Sequence, residues 1–455
     1  MKLPVASYGE SSVESVILFK VRSLNRFIKM KNSKKFKYVI IGNSFAALFA
    51  VESIRKSGAK ETIAVISDET EHTYSRAMLH EYVADMVSDN FIYLRDFDYY
   101  QKMNVTPILG SRVSKIDSKT KKVYIGKESI GFEKLLISSG GVPFIPPGIT
   151  GLNEFENVFT FTKKKDADKI KAVLKNVNSI AILGGGLIGL QCAEGLAHTG
   201  KKVTVVELAD NILPIALDDE AAKIARQELH KQGIEIITKD TIVNINGSAG
   251  KINSVTLKSE KKIPCQMVVI AVGVKPNIEF LNGSGIKTDR GILVNSNMET
   301  NIKNIYAAGD CTAAKEILTG KTMPIPIIPL ASQQGMTVGC NMAGKKKEYK
   351  GGLSLNALQF GGAQIISYGF IRDEANGEIL KKLDEKQGIY KKIIIKKNKI
   401  TGAVFVRAIE RAGIFRYLIE NKVDIGKYKD KLLEPDFNWA HVQNETRDQL
   451  FLRSQ

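Results

Sequence analysis

Residues 179–210, SIAILGGGLIGLQCAEGLAHTGKKVTVVELAD, carry a strand, a glycine turn, a helix and a second strand without a break. Ile180 to Leu183 form a continuous apolar run, Gly184, Gly186 and Gly189 complete G-x-G-x-x-G, and apolar residues recur at helical spacing from Leu187 to His198 before Gly200. Each glycine has a physical task. Gly184 permits the tight turn, Gly186 has no Cβ to hold a diphosphate away from the backbone amides, and Gly189 lets the helix lie close to the strand. The next strand, Val203 to Val206, ends in Glu207, about 20 residues beyond the glycines, where a carboxylate accepts hydrogen bonds from a ribose diol. A 2′-phosphate would be repelled there, so the unit is predicted to bind NAD rather than NADP.

The same pattern stands earlier in the chain. An apolar strand from Tyr38 to Ile41 leads into Gly42-Asn43-Ser44-Phe45-Ala46-Ala47, a helix to about Ser57, Gly58, and a strand from Thr62 to Ser67 that ends at Asp68. The fingerprint is relaxed to G-x-S-x-x-A, but Ser44 and Ala47 are small enough for a backbone to approach a diphosphate, and Asp68 or its neighbour Glu69 can meet a ribose. Much later, TNIKNIYAAGD (300–310) reads as a short strand that delivers Asp310 after a glycine, with a helix expected to start next.

Composition fits a large multi-domain chain. The 455 residues suggest about three domains, and no apolar run approaches the roughly 18 to 20 residues of a membrane span. With no secretory signal pattern, a cytoplasmic protein is expected. Residues 1–36 form an N-terminal extension without clear pattern; Glu10 and Glu14 argue against a transit peptide, and Met30 is an alternative translation start. The formal charge is +18, with 52 lysines among 66 basic residues. Such a field attracts anionic partners, but a lysine-rich solvated surface explains it without nucleic acid. The cysteines Cys192, Cys265, Cys311 and Cys340 lie far apart and form no C-x-x-C, so neither a disulfide framework nor a metal site is predicted.

The two fingerprints, together with EKLLISSGGVP (133–143), VVIAVGVKPN (268–277) and NIYAAGD (304–310), resemble the FAD- and NAD-dependent pyridine nucleotide–disulfide oxidoreductase superfamily over about residues 37–345. The resemblance implies an α/β fold with two Rossmann-like dinucleotide-binding domains, the NAD domain inserted in the FAD domain. FAD would take residues 37–150 and 275–345, and NAD residues 151–274. Carried over, Gly42, Ser44, Ala47, Asp68 and Asp310 belong to FAD, and Gly184, Gly186, Gly189 and Glu207 to NADH, while Gly140 and Gly273 mark the two crossings between domains.

The family's disulfide reductases need a cysteine pair beside the flavin, and its coenzyme A disulfide reductases need one cysteine soon after the first βαβ unit. Residues 37–191 contain none. Instead HTYSRAMLHEYVA (72–84) resembles a segment of NADH:rubredoxin reductases and of the flavin module of NADH-dependent nitrite reductases, which makes Arg76 a candidate for FAD phosphate or for covering the flavin. Two positions depart from relatives: Glu81 stands where many have lysine, and Gln191, kept as a cofactor candidate, where many have glutamate.

Residues 346–455 leave the βαβ pattern. GGLSLNALQFGGAQIISYG (351–369), a strand pair in GIYKKIIIKKNKITGAVFV (388–406) turning near Lys397-Asn398, and a helix in AIERAGIFRYLIENK (408–422) predict a small C-terminal α+β domain resembling that of the same reductases. KKIIIKKNK reads as a sheet edge kept soluble by lysines, and Trp439 with His441 as a packed terminal anchor.

The implied activity is hydride transfer from NADH to FAD and onward passage of electrons. No residue is assigned as a general acid, base or nucleophile, and no metal ligand set is proposed. The acceptor implied is an acidic carrier such as rubredoxin or ferredoxin, or an iron–sulfur partner subunit, and a homo-oligomer is compatible with the reading. The alternatives are a basic NADH-sensing flavoprotein of apoptosis-inducing-factor type and an NADH oxidase or quinone reductase.

Overall fold

The computed structural model describes residues 35–372 and 377–442, so the N-terminal extension lies outside the described residues save for its last two. The chain divides into two compact units. One comprises the described residues up to Arg76 with Ser88–Val142 and Lys275–Gly352; the other comprises Ala77–Val87, Pro143–Val274 and the described residues from Leu353 onward.

In the first unit the strand Lys35–Ile41 lies between Ile63–Ile66 and Glu128–Ile137, parallel to both, and Val105–Ile108 extends the sheet beyond Ile63–Ile66. Ile305–Ala307 joins it in parallel beside Glu128–Ile137. Val39, Ile40 and Ile41 are all buried, as expected for a parallel strand covered on both faces. The helix Phe45–Lys56 packs against Ile328–Met342 at very short range. A Cβ on Gly335 would stand 2.3 Å from the Ala46 carbonyl oxygen, and one on Gly339 2.4 Å from that of Ala50.

The second unit holds a five-stranded parallel sheet in the order Ile234–Ile237, Lys202–Val206, Ser179–Leu183, Met267–Ile270, Val158–Thr160. The helix Leu187–His198 follows the central strand and gives way to Gly200 in the left-handed region, φ +77°. Both sheets follow the predicted α/β pattern, with two Rossmann-like nucleotide-binding folds.

The chain also forms, within this unit, an antiparallel sheet in the order Leu355–Phe360, Ala363–Gly369, Lys399–Val406, Ile389–Lys396, Glu378–Asp384. The helix Ala412–Glu420 packs on it, with Phe415 4.7 Å from Phe405 between ring centres. The expected turn is present: Lys397 and Asn398 both adopt positive φ, +49° and +56°, which two-residue hairpins of right-handed twist require. Trp439 packs edge-on to Tyr417 at 5.2 Å.

Two expectations are corrected. The lysine-rich strand Ile389–Lys396 is interior, because Glu378–Asp384 pairs along its whole outer side; Lys392 is fully buried rather than solvated. No helix begins directly after Asp310. Thr312–Lys315 forms a strand between Ile292–Leu293 and Thr322–Met323, and the helix Ile328–Met342 begins only afterwards, with a proline in its first turn. Among the described residues no helix is long and apolar enough to cross a membrane.

Candidate functional site

In the second unit, Gly184 adopts φ +114°, and a Cβ there would stand 2.5 Å from the Ala271 carbonyl oxygen. A Cβ on Gly189 would stand 2.0 Å from the Gly184 carbonyl oxygen, so these two positions require glycine for packing alone. Gly186 differs. It is the N-cap of Leu187–His198, no side chain caps the helix, and a Cβ on it would meet no atom within 4 Å. The open space at this position, before helix amides without a side-chain cap, suits an anionic group.

Glu207 follows the neighbouring strand as the sequence predicts. Its carboxylate accepts the Gly185 amide at 2.6 Å and the Ala209 amide at 2.7 Å, which fixes it against the glycine turn. Gln191 lies half-buried one turn into the helix. Gly273 has φ +109°, and its carbonyl accepts the Phe144 amide at 2.9 Å. The chain crosses between units just after Gly140 and Gly273, at 142/143 and 274/275.

The first unit repeats the geometry. Gly42 has φ +110° and would place a Cβ 2.0 Å from the Ser138 carbonyl oxygen, and Ser44 is the N-cap of Phe45–Lys56 without a side-chain cap bond. Ala47 is buried in that helix's first turn. Asp68 is exposed, whereas Glu69 is partly buried and accepts Tyr74 Oη at 2.5 Å and the guanidinium of Arg76. Arg76 also lies over the Tyr74 ring, 5.2 Å from its centre. Asp310 sits past Gly309, which has φ +82°. Burial raises the Asp310 carboxyl above the ordinary aspartate range, against the opposing pull of Arg76. Gly140 has φ +66°, and its carbonyl accepts the Asn277 amide at 2.9 Å.

Sequence reasoning missed several participants. Gln334, buried on Ile328–Met342, accepts the Gly309 amide at 2.8 Å and so fixes the turn before Asp310. Tyr82 bonds Asp168 at 2.7 Å, and Lys164 bonds the same carboxylate at 3.0 Å, tying the short helix Leu79–Val83 to Lys164–Leu174. Asp218 was missed too: it is the N-cap of Asp219–Lys231, and its sequence position gives no sign of the buried Lys392 ammonium 3.1 Å away. Three of the four thiols are poorly suited to redox work. Cys192, Cys265 and Cys311 are buried, and burial raises all three, Cys265 to about 12. No cluster of metal-ligating side chains occurs among the described residues.

A family model described as pyridine nucleotide-disulphide oxidoreductase matches residues 36–335, and one described as rubredoxin NAD+ reductase C-terminal domain matches residues 355–423. The chain is 31% identical over 405 residues to nitrite reductase [NAD(P)H] of Bacillus subtilis, covering 88% of this chain and 49% of that protein. It is 31% identical over 402 residues to the epsilon subunit of NADH-dependent phenylglyoxylate dehydrogenase of Aromatoleum evansii, covering 87% of this chain and 94% of the subunit. It thus spans about half the length of the nitrite reductase. The crystal structure of NADH:rubredoxin oxidoreductase from Clostridium acetobutylicum superposes with a TM-score of 0.72 at 28% identity, covering 87% and 98% of the two chains. The two glycine turns, their acids and these matches agree: the chain belongs to the pyridine nucleotide-disulphide oxidoreductase family, flavoproteins that use FAD and a nicotinamide dinucleotide.

Proposed function

We propose that the chain is an NADH-dependent electron-transfer reductase that delivers electrons to an acidic iron–sulfur carrier or an iron–sulfur partner subunit. FAD takes the first turn, with Gly42, Ser44 and Ala47 at its diphosphate, Asp68 at its ribose, and Arg76 and Asp310 toward the flavin end. NADH takes the second, with Gly184, Gly186 and Gly189 at the diphosphate, Glu207 at the ribose diol and Gln191 toward the nicotinamide; Gly140 and Gly273 let the chain pass between the two nucleotide-binding domains, residues 37–150 with 275–345 and residues 151–274, ahead of a C-terminal domain at 346–455. The chemistry the bound pair supplies is hydride transfer from nicotinamide to flavin and onward release of electrons.

The observation that carries this reading is the pair of helix N-termini without side-chain caps, Phe45–Lys56 and Leu187–His198, each entered from a positive-φ glycine turn. Each presents unspent amide donors to a diphosphate. The lysine excess has a use in steering an acidic partner. The similarity to an NADH-rubredoxin oxidoreductase supports a carrier protein as acceptor.

The purified protein is expected to be yellow, to release about one FAD per chain and to bleach anaerobically with NADH. An acidic rubredoxin or ferredoxin should be reduced faster than oxygen, and its rate should fall between about 50 and 500 mM salt as the Debye length shrinks from about 14 to 4 Å. Flavin bleaching should respond much less. Oxygen or a neutral quinone outpacing every carrier, or carrier reduction indifferent to salt, would replace this reading by an oxidase or quinone reductase. Very slow bleaching would favour an NADH sensor.

A further inference from the structure

Residues 208–217 run from Glu207 to the helix Asp219–Lys231, and besides the bond from the Lys239 amide to the Ala209 carbonyl at 3.0 Å the chain fastens them at their start, middle and far end. At the start, the Ala209 amide donates to Glu207 Oε1. In the middle, Leu213, in the left-handed region at φ +50°, donates its amide to the Gly185 carbonyl at 2.9 Å, so the segment folds back onto the glycine turn. The far end is held by the C-terminal part of the chain. Arg372 donates from Nε to the Pro214 carbonyl and from Nη2 to the Leu217 carbonyl, both at 3.0 Å, and from Nη2 to Asp219 Oδ1 at 3.1 Å.

Behind these bonds stands a buried charge. Asp218 caps the helix by accepting the Ala221 amide at 3.2 Å, and its Oδ2 takes Tyr390 Oη at 2.6 Å and Lys392 Nζ at 3.1 Å. Lys392 is wholly buried and also donates to the Ile371 carbonyl at 3.0 Å. Two buried opposite charges admit few alternative geometries, because displacing either leaves the other unpaired in a low-dielectric setting. Within the segment the Ala216 and Leu217 amides donate to the Leu213 carbonyl at 2.9 Å and Ile212 and Leu217 are buried, while on its outer side Leu208 is 63% exposed and Ile215 86%.

We propose that Arg372, supported by the Lys392–Tyr390–Asp218 cluster, is a positioning residue for NADH: it holds residues 208–217 in the one arrangement that presents the Glu207 carboxylate to the ribose diol. This rests on the reading of Glu207 as the ribose acceptor. The C-terminal domain thereby tunes dinucleotide affinity and selectivity through the nucleotide loop, without touching the dinucleotide.

If releasing the clamp lowers the competent loop population to about a tenth, apparent affinity falls about tenfold. Arg372→Ala, at a side chain 44% exposed, should raise the KM for NADH about tenfold while kcat with ferricyanide stays within about twofold. The inhibition constant of ADP-ribose, which carries the diol and no nicotinamide, should rise in step. The KM for NADPH should change less than about threefold, because that nucleotide gains nothing from Glu207. Arg372→Lys keeps the charge without the planar fork and should fall between. Asp218→Asn combined with Lys392→Met retains a capping side chain, removes the buried pair and should show the same signature. In the Glu207→Ala background Arg372→Ala should add nothing. An unchanged KM for NADH in folded Arg372→Ala, with Glu207→Ala raising it, overturns the clamp and leaves the ribose reading standing. If Glu207→Ala leaves that KM unchanged, the ribose reading falls and the clamp with it. Equal losses for both nucleotides together with a lowered Tm would make the contacts structural only and also overturn the proposal.

Discussion

The Glu207 carboxylate receives the Gly185 amide at 2.6 Å, so the acid at the end of one strand is bound to the glycine turn at the end of the next. In the proposed reading this carboxylate faces the ribose of the nicotinamide dinucleotide. NADH is therefore expected to exceed NADPH in kcat/KM by on the order of ten- to a thousandfold, since charge-assisted bonds to a diol contribute about 1.5 to 3 kcal/mol each and a 2′-phosphate is repelled. Steady-state kinetics with both nucleotides check this, and Glu207→Ala should narrow the gap. Equal use of NADPH by the unaltered protein would refute it.

Gly186 separates folding from binding. A Cβ there meets no atom within 4 Å, so Gly186→Ala should keep its Tm within a few degrees and stay yellow. The added methyl group occupies the space assigned to the diphosphate, and the KM for NADH should rise about tenfold or more, a cost of at least about 1.4 kcal/mol. Unaltered NADH kinetics in the Gly186→Ala variant would place the diphosphate elsewhere.

Cysteine chemistry should be dispensable. With three thiols buried and raised, replacing all four cysteines by alanine is expected to leave NADH-to-dye turnover within about twofold. Cys192, packed inside the helix Leu187–His198, should cost about 1 to 2 kcal/mol of stability in urea unfolding when truncated. Loss of flavin reduction in the folded variant would expose a thiol route.

The acid side of the stability profile should carry the mark of His72. Buried against the rings of Tyr93, Phe97, Tyr99 and Tyr100, it is lowered from 6.5 to about 4, chiefly by desolvation. Between those values the unfolded chain binds a proton that the folded chain refuses, so this contribution is complete above about pH 6.5 and is lost as pH falls toward 4. At about 1.4 kcal/mol per unit it amounts to roughly 3 kcal/mol across the window. Urea titrations at pH 4.5 and 7 should show a smaller difference for His72→Phe than for the unaltered protein; parallel losses would rule out a buried neutral imidazole.

Asp310 provides a check on the flavin side. Asp310→Ala should weaken flavin retention on gel filtration, and Cys311→Ala, one residue on, should not. Equal retention in both would remove Asp310 from the flavin site.

Both nucleotide-binding folds were legible because their determinants are local. A strand, a positive-φ glycine and a helix start follow within a few residues at Gly42 and again at Gly184, and no distant partner is needed to recognise them. The segment after Asp310 was misread for the opposite reason: Thr312–Lys315 is a strand because Ile292–Leu293 and Thr322–Met323 lie on its two sides. Lysines in Ile389–Lys396 suggested an edge, yet edge or interior is decided by Glu378–Asp384, a charged segment with little strand signal of its own. Asp218 likewise reads as an ordinary helix cap until Lys392 is found against it.

That last pairing bears on modularity. A nucleotide-binding fold excised from this chain would deprive the Asp218 carboxylate of Lys392 and Tyr390 while keeping its bond from the Ala221 amide, and the excised sheet would deprive buried Lys392 of that carboxylate while keeping its bond to the Ile371 carbonyl. Neither fragment is expected to be well behaved alone. Trimming, fusing or shuffling the C-terminal portion would separate a buried ion pair, so both charges would have to change together.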